Sequence, residues 1–283
     1  MEIIKTVKDM QTRSNKKRRL DRIISFVPTM GFLHEGHLTL LREGKKRGDD
    51  LVLSIFVNPA QFGPNEDLDA YPRNLEKDLK LAENEGVDVV FTPTKEQLYG
   101  DRYQTYVKLE NLPDHLCGLS RPVHFRGVAT VVTKLFNIVK PHVALFGEKD
   151  FQQLAVIRQM VKDLNFDIDI VGVATVREKD GLAMSSRNTY LSSEERSSAL
   201  SLSKALQMAQ ERVLKGDRDT SMILNDIRQF IESHPGTTID YATICDPGSL
   251  EDMTVIDTPA LFALAVMVGK TRLIDNKILN INA

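Results

Sequence analysis

Two histidines three residues apart, His34 and His37, follow an apolar run and enclose Glu35 and Gly36. Residues at that spacing share one helix face. Two neutral imidazoles could therefore donate to one phosphate chain beside the positive N-terminus of a helix. Gly36 removes a side chain where an adenine ring or ribose could pack closely. The pattern is not that of a zinc protease, which needs histidines at i and i+4, and no cluster supplies a third metal ligand. The competing reading is a helix start whose histidines merely cap or lie exposed.

Three more groups carry chemical potential. Asn58-Pro59-Ala60-Gln61-Phe62-Gly63 follows the next apolar run, and loops beyond the carboxyl ends of parallel strands line ligand crevices. The Gln61 amide offers two donors and a carbonyl acceptor, suited to a substrate bearing hydroxyl and carboxylate groups; alternatively, Asn58 and Gln61 only stabilise a turn. In Phe146-Gly147-Glu148-Lys149-Asp150-Phe151-Gln152-Gln153, Lys149 could neutralise phosphate and Gly147 admits close backbone approach. Asp150 and Gln153 there have the spacing of a capping box, with Gln153 assigned to the crevice. In Met184-Ser185-Ser186-Arg187-Asn188, two hydroxyls and an arginine could bind phosphate by charge-assisted bonds and close over a nucleotide. A plain polar linker has the same composition.

The elements that must position these groups alternate. Ile23–Val27, Leu51–Val57, Val87–Phe91, His142–Phe146 and residues 168–176 read as strands. Between them lie helical patterns over residues 35–47, 75–85, 127–139 and 151–164. Val-, Ile- and Leu-rich strands alternating with helices predict an α/β fold, a parallel sheet with helices on both faces. The pattern changes near residues 177–188. Ser192 and Glu195 form a capping box for a helix to about Leu214, a second helix spans residues 221–231, and strands follow at 239–245 and 260–268. These make a smaller α+β unit, and the expected division is residues 1–180 and 181–283.

Composition narrows the function classes. The 283 residues are 42% hydrophobic and 27% charged with a net charge of −2, an ordinary globular balance without a field for nucleic acid or an anionic membrane. The basic run Asn15-Lys16-Lys17-Arg18-Arg19 reads as a solvated loop or helix face. Cys117 and Cys245 stand far apart without a CxxC, which fits a reducing cytoplasm. The N-terminal stretch lacks a signal-peptide core, and the apolar stretch 258–269 is short of the about 20 residues a bilayer requires.

Taken in order, the four groups resemble those of the pantothenate synthetases (pantoate–β-alanine ligases), members of the HIGH-motif nucleotidyltransferase superfamily. His34-Glu35-Gly36-His37 looks like the HIGH element and Met184-Ser185-Ser186-Arg187 like the counterpart of the KMSKS loop. Pro28-Thr29-Met30-Gly31, Asn58-Pro59-Ala60-Gln61-Phe62 and Phe146-Gly147-Glu148-Lys149-Asp150 are more specific still, and the likeness extends over nearly the whole chain. It implies a Rossmann-like N-terminal domain, a smaller C-terminal lid domain, and ATP-dependent condensation of (R)-pantoate with β-alanine through a pantoyl adenylate, with magnesium. By the same resemblance Met30, Gly31, Phe32, Leu33, His34, Glu35, Gly36 and His37 line the ATP site. Gly147, Glu148, Lys149, Asp150, Val176, Met184, Ser185, Ser186 and Arg187 complete it. His37, His34 and Lys149 are the expected catalytic residues, Gln61 binds pantoate and β-alanine, and Gln153 binds pantoate. Asp78 is read as a solvated helix carboxylate rather than a magnesium ligand, and the metal's protein ligands stay unassigned. The resemblance further implies a cytoplasmic homodimer that binds small molecules, not nucleic acid or membrane. A tRNA synthetase fragment, a cytidylyltransferase and a non-catalytic nucleotide sensor are the rival readings.

Overall fold

A computed structural model describes residues 1–64 and 66–282. The chain divides into two compact units, one of residues 1–110, 121–148 and 153–174, the other of residues 111–120, 149–152 and 175–283. In the first unit β1 (Glu2–Ile4) and α1 (Val7–Arg18) precede β2 (Ile24–Thr29), α2 (Glu35–Arg47), β3 (Asp50–Ile55), α3 (Leu75–Asn84), β4 (Val89–Phe91) and α4 (Lys95–Leu98). After α5 (Cys117–Ser120), which belongs to the second unit, come α6 (His124–Val139), β5 (Val143–Gly147), α7 (Phe151–Asp163) and β6 (Asp169–Val173). The six strands form one parallel sheet in the order β1-β4-β3-β2-β5-β6.

Alternation along the strands explains why both faces are covered. Phe26, Val52, Phe91 and Phe146 point into a core with Met10 of α1 and Val128, Leu135 and Phe136 of α6. Their neighbours Val27, Leu53, Val90 and Leu145 point the other way, against Leu38 and Leu41 of α2 and Ala82 of α3. A strand apolar on both sides belongs inside a helix-covered parallel sheet. From β2 the chain proceeds outward to β3 and β4, whereas β5 and β6 lie on the opposite side. The reversal lies between β2 and β5, and ligands of open α/β sheets bind beyond the carboxyl ends of strands at such a point.

β1 and α1 are additions to the elements expected from sequence. Only Met10 and Ser14 of α1 are buried, too few to print an apolar stripe. The basic run ends this helix, and part of it packs. Lys17 Nζ lies 2.9 Å from the buried Asp50 carboxylate, and Arg18 donates to the Lys140 carbonyl at 2.9 Å.

The second unit is an antiparallel sheet of β7 (Thr237–Cys245), β8 (Ala260–Val268) and β9 (Thr271–Leu279), accompanied by α8 (Ser193–Leu214) and α9 (Thr220–Glu232). The expected capping box is formed: the Glu195 N–H donates to Ser192 Oγ at 3.2 Å, and the Ser192 N–H to Glu195 Oε2 at 2.9 Å. Phe262, Leu264 and Val266 of β8 pack with Leu202 and Leu206 of α8 and Ile223 and Ile227 of α9. The opposite face carries Leu261 and Ala263 with Leu116 and Leu250, which is why the short 111–120 segment belongs to this unit. β9 escaped the sequence reading because Arg272, Asp275 and Lys277 interrupt its apolar alternation. Asp275 is tolerated there, nearly buried, because Arg177 grips it with two nitrogens at 2.7 and 3.0 Å. Among the described residues no helix is long and apolar enough to cross a membrane.

Candidate active site

The loop after β2 owes its shape to a carboxylate from another element. Gly31 has φ +83° and Phe32 φ +52°, a left-handed pair that side chains rarely adopt. The Phe32 and Leu33 N–H groups both point at Asp78 of α3, at 2.8 and 2.7 Å. Asp78 is only 1% exposed. It is therefore not the solvated helix carboxylate expected from sequence, but a buried acceptor that closes two backbone donors of the histidine loop. Burial pushes its pKa up, and the bonds from Leu33 and Phe32 oppose that shift without cancelling it. A Cβ on Gly31 would lie 2.9 Å from Ile55 Cγ2 and 3.0 Å from Asp78 Oδ2, so both conformation and space require glycine. Thr29 completes the turn by accepting the Gly31 N–H and donating to the Ser54 carbonyl.

This loop delivers His34 as the N-cap of α2 in extended conformation. The His34 N–H donates to Nδ1 of His37 at 3.4 Å, and the two rings lie 4.0 Å apart between centroids. An Nδ1 that accepts fixes the tautomer, so a neutral His37 ring carries its proton on Nε2. Capping and ligand binding are thus compatible, because they use opposite nitrogens. Both histidines follow β2 at the strand reversal. Glu35, expected to line the ATP site, directs its carboxylate to Arg42.

Gln61 closes a 3₁₀ turn over Pro59–Gln61. Its Oε1 accepts from Asn58 Nδ2 at 3.0 Å, and its Nε2 lies 3.3 Å from Met30 Sδ. The turn expected to bind substrate and the loop expected to line the ATP site therefore touch within one unit. Of the donors and acceptor that the Gln61 amide is expected to offer a substrate, the carbonyl is engaged by Asn58. Asn58 also accepts from Tyr99 Oη at 2.9 Å and donates to the Gly127 carbonyl at 3.1 Å. His124 Nδ1 meets the Gln61 carbonyl at 3.0 Å. Helix α6 approaches so closely that a Cβ on Gly127 would fall 2.3 Å from the Ala60 carbonyl oxygen.

β5 ends at Gly147, where a Cβ would meet nothing within 4 Å. Glu148–Asp150 form a 3₁₀ turn that runs straight into α7. Asp150 thus sits within helical winding, and the expected capping box with Gln153 is not the start of this helix. Gln153 is half-buried on α7. Its neighbour Gln152, which carried no expected role, is buried; it accepts the Cys117 N–H at 2.9 Å and donates to the Leu112 and His115 carbonyls. Gly147, Glu148 and Gln153 belong to the first unit, whereas Lys149 and Asp150 belong to the second, where the Lys149 carbonyl accepts from Asn276 at 2.8 Å.

The remaining expected ATP residues also lie in the second unit. Val176 and Met184 face each other across a backbone hydrogen bond of 2.9 Å, and Arg177 pairs with Ala183 around a turn at Gly181. The segment is a braced hairpin rather than a slack linker: Arg196 joins Glu178 and Asp180, and Asn188 bonds Glu178 and the Ala183 carbonyl. Ser185 Oγ accepts the Arg187 N–H at 3.3 Å, and Ser186 is buried. Asp78, Tyr99 and Gly127 are the residues whose part in this geometry sequence reasoning did not foresee, whereas Asn58 stabilises the turn, as in the alternative reading of its motif, accepting the Ala60 N–H at 3.3 Å. Among the described residues no group of three His, Cys, Asp or Glu side chains could hold a metal ion.

Residues 2–278 match the family model described as Pantoate-beta-alanine ligase. A pantothenate synthetase of Desulfatibacillum aliphaticivorans is 63% identical over 99% of either chain. The crystal structure of pantothenate synthetase from Thermus thermophilus superposes with a TM-score of 0.94 at 41% identity, covering 99% of this chain and 100% of that one. Pantoate-beta-alanine ligase from Francisella tularensis, crystallised with β,γ-ATP and β-alanine, superposes with a TM-score of 0.81 at 33% identity, over 98% and 97% of the two chains.

Proposed function

The chain belongs to the pantoate–β-alanine ligase family, and from that membership we infer how its residues share the family's reaction. That reaction uses ATP to condense (R)-pantoate with β-alanine, giving (R)-pantothenate, AMP and pyrophosphate. A pantoate carboxylate oxygen attacks the α-phosphorus, the bond to the bridging oxygen breaks, and pyrophosphate leaves with the electron pair. The β-alanine nitrogen then forms the amide with the acyl carbon of pantoyl adenylate, and AMP departs. The amine proton passes to solvent or to an adenylate oxygen. A carboxylate is already nucleophilic near neutral pH, so the first step asks for positioning and charge stabilisation rather than a strong base.

Met30 through His37, Gly147 through Asp150, Val176 and Met184 through Arg187 are assigned to ATP. His37 donates from Nε2 to phosphate oxygen, supported by the Nδ1 contact with the His34 N–H. Lys149 and His34 offset the charge that grows on pyrophosphate. Gln61 and Gln153 hold pantoate, with Gln61 also at the β-alanine position. The observation that carries this reading is the 3.3 Å approach of Gln61 Nε2 to Met30 Sδ, which brings the substrate turn against the nucleotide loop.

Magnesium neutralises phosphate charge when bound with ATP. Such an ion usually takes one or two carboxylates plus substrate phosphates rather than an all-protein cage, and Asp78, the buried acid behind the histidine loop, commits its oxygens to backbone N–H groups. The reading also includes a cytoplasmic homodimer and a C-terminal part, residues 181–283, that acts as a lid. Pantoate-dependent exchange of pyrophosphate into ATP, followed by AMP release only on addition of β-alanine, tests the assignment. Exchange driven by an amino acid, or none, rejects it.

A further inference from the structure

A primary amide presents either donors or an acceptor, depending on which way it is turned. For Gln61 that choice is made by its neighbours. Asn58 is 1% exposed and is flanked by two backbone groups that, together with Tyr99, set its orientation. The Gly127 carbonyl, 3.1 Å away, requires a donor and fixes Nδ2; the Ala60 N–H, 3.3 Å away, requires an acceptor and fixes Oδ1. The second hydrogen of Nδ2 then falls on Gln61 Oε1 at 3.0 Å, so Gln61 must turn its Nε2 hydrogens outward.

The strongest hold on Asn58 Oδ1 comes from Tyr99, whose hydroxyl donates at 2.9 Å across 41 residues. Tyr99 lies just after α4 with its N–H bonded to the Lys95 carbonyl, its ring edge-on to Tyr103 at 4.9 Å and tilted against Phe56 at 6.3 Å. The Lys134 ammonium sits 5.7 Å from its centroid. Burial pushes the phenol pKa upward, followed by smaller contributions from Tyr103 and Tyr106, so the hydroxyl remains a donor throughout the neutral range.

We propose that Tyr99 is a positioning residue for the acid substrate: acting through Asn58, it holds the Gln61 amide with its N–H donors toward the carboxylate-bearing ligand. Without the phenol oxygen, Asn58 is held only by the Gly127 carbonyl and the long bond from Ala60, so its grip on the Gln61 carbonyl loosens. Gln61 then turns its carbonyl oxygen more often toward an anionic substrate, which repels it. Tyr99 thereby selects for a ligand made of acceptors. The proposal rests on the assignment of Gln61 to pantoate.

Steady-state kinetics of Tyr99→Phe, Gln61→Ala and the double variant separate the two ideas. Loss of one hydrogen bond predicts a KM for pantoate raised roughly 2- to 10-fold in Tyr99→Phe, with the KM for ATP unchanged, and no further rise when the change is made in Gln61→Ala. An unchanged pantoate KM in Gln61→Ala overturns the pantoate assignment itself. A raised value there with a normal value in Tyr99→Phe overturns the role of Tyr99. Full additivity in the double variant, or a parallel rise in the KM for ATP, gives Tyr99 a general packing role and equally overturns the proposal.

Discussion

The Asp78 carboxylate accepts the Leu33 N–H at 2.7 Å, joining α3 to the histidine loop across 45 residues of chain. With the second bond from Phe32 it holds the left-handed backbone pair Gly31 and Phe32, whose turn Thr29 completes from the strand end. Asp78→Ala strands two buried donors, at about 1–3 kcal/mol each. The expected result is a lowered Tm and a raised KM for ATP with a much smaller change for β-alanine. Asp78→Asn should rescue little, because one of its two positions then sets an amide donor against a backbone donor. Wild-type ATP affinity in Asp78→Ala would show that the loop holds its shape alone.

His37 is predicted to matter for chemistry far more than for folding. The Nδ1 contact with the His34 N–H is long, at 3.4 Å, whereas loss of a preorganised donor to a developing charge commonly costs roughly 10²–10³ in rate. His37→Ala should therefore lose pantoate-dependent pyrophosphate exchange while melting near the wild-type temperature. Near-normal turnover would remove His37 from the phosphate site.

What was legible in the sequence were features set by nearest neighbours. Helix α2 runs over the expected residues 35–47, and β8 over 260–268, because the apolar pattern of each is self-contained. The orientation of Gln61 was not legible, since it depends on Tyr99, 41 residues from Asn58, and on Gly127, 69 residues away. Asp78 looked like one more helix carboxylate because nothing near it in sequence reveals the Leu33 and Phe32 donors. β9 was hidden by Asp275, whose partner Arg177 lies 98 residues away.

Asp50 is expected to contribute to the acid limb of stability. Its side chain is fully buried on β3 and receives Arg13 through two nitrogens at 2.5 and 2.8 Å and Lys17 at 2.9 Å. Burial alone would raise its pKa, but the hydrogen bonds from Arg13 and Lys17 outweigh burial and hold it below the usual 3.8. A depressed folded pKa means stability that is present above about pH 3.8 and lost as pH falls through the lower folded value. Asp50→Asn should cost about 3–5 kcal/mol at neutral pH, because it leaves two cations around a buried neutral group. It should also flatten the acid limb of a Tm-against-pH curve; an unaltered limb would place the acid sensitivity elsewhere.

Gly127 and Gly147 should respond oppositely to a single methyl. At Gly127 a Cβ would meet the Ala60 carbonyl oxygen at 2.3 Å and the Gln61 Cα at 2.5 Å, backbone atoms that yield only if α6 withdraws from the turn. Overpacking of this kind costs typically about 1–3 kcal/mol, so Gly127→Ala should lower the Tm and raise the KM for pantoate together. At Gly147 the same methyl enters open space, and folding should be indifferent to it. If ATP lies against that backbone, Gly147→Ala will raise the KM for ATP with the Tm unchanged, since only the ligand competes for the space. A variant that binds ATP normally would mean that the nucleotide passes Gly147 at a distance, and that the strand end does not line its site.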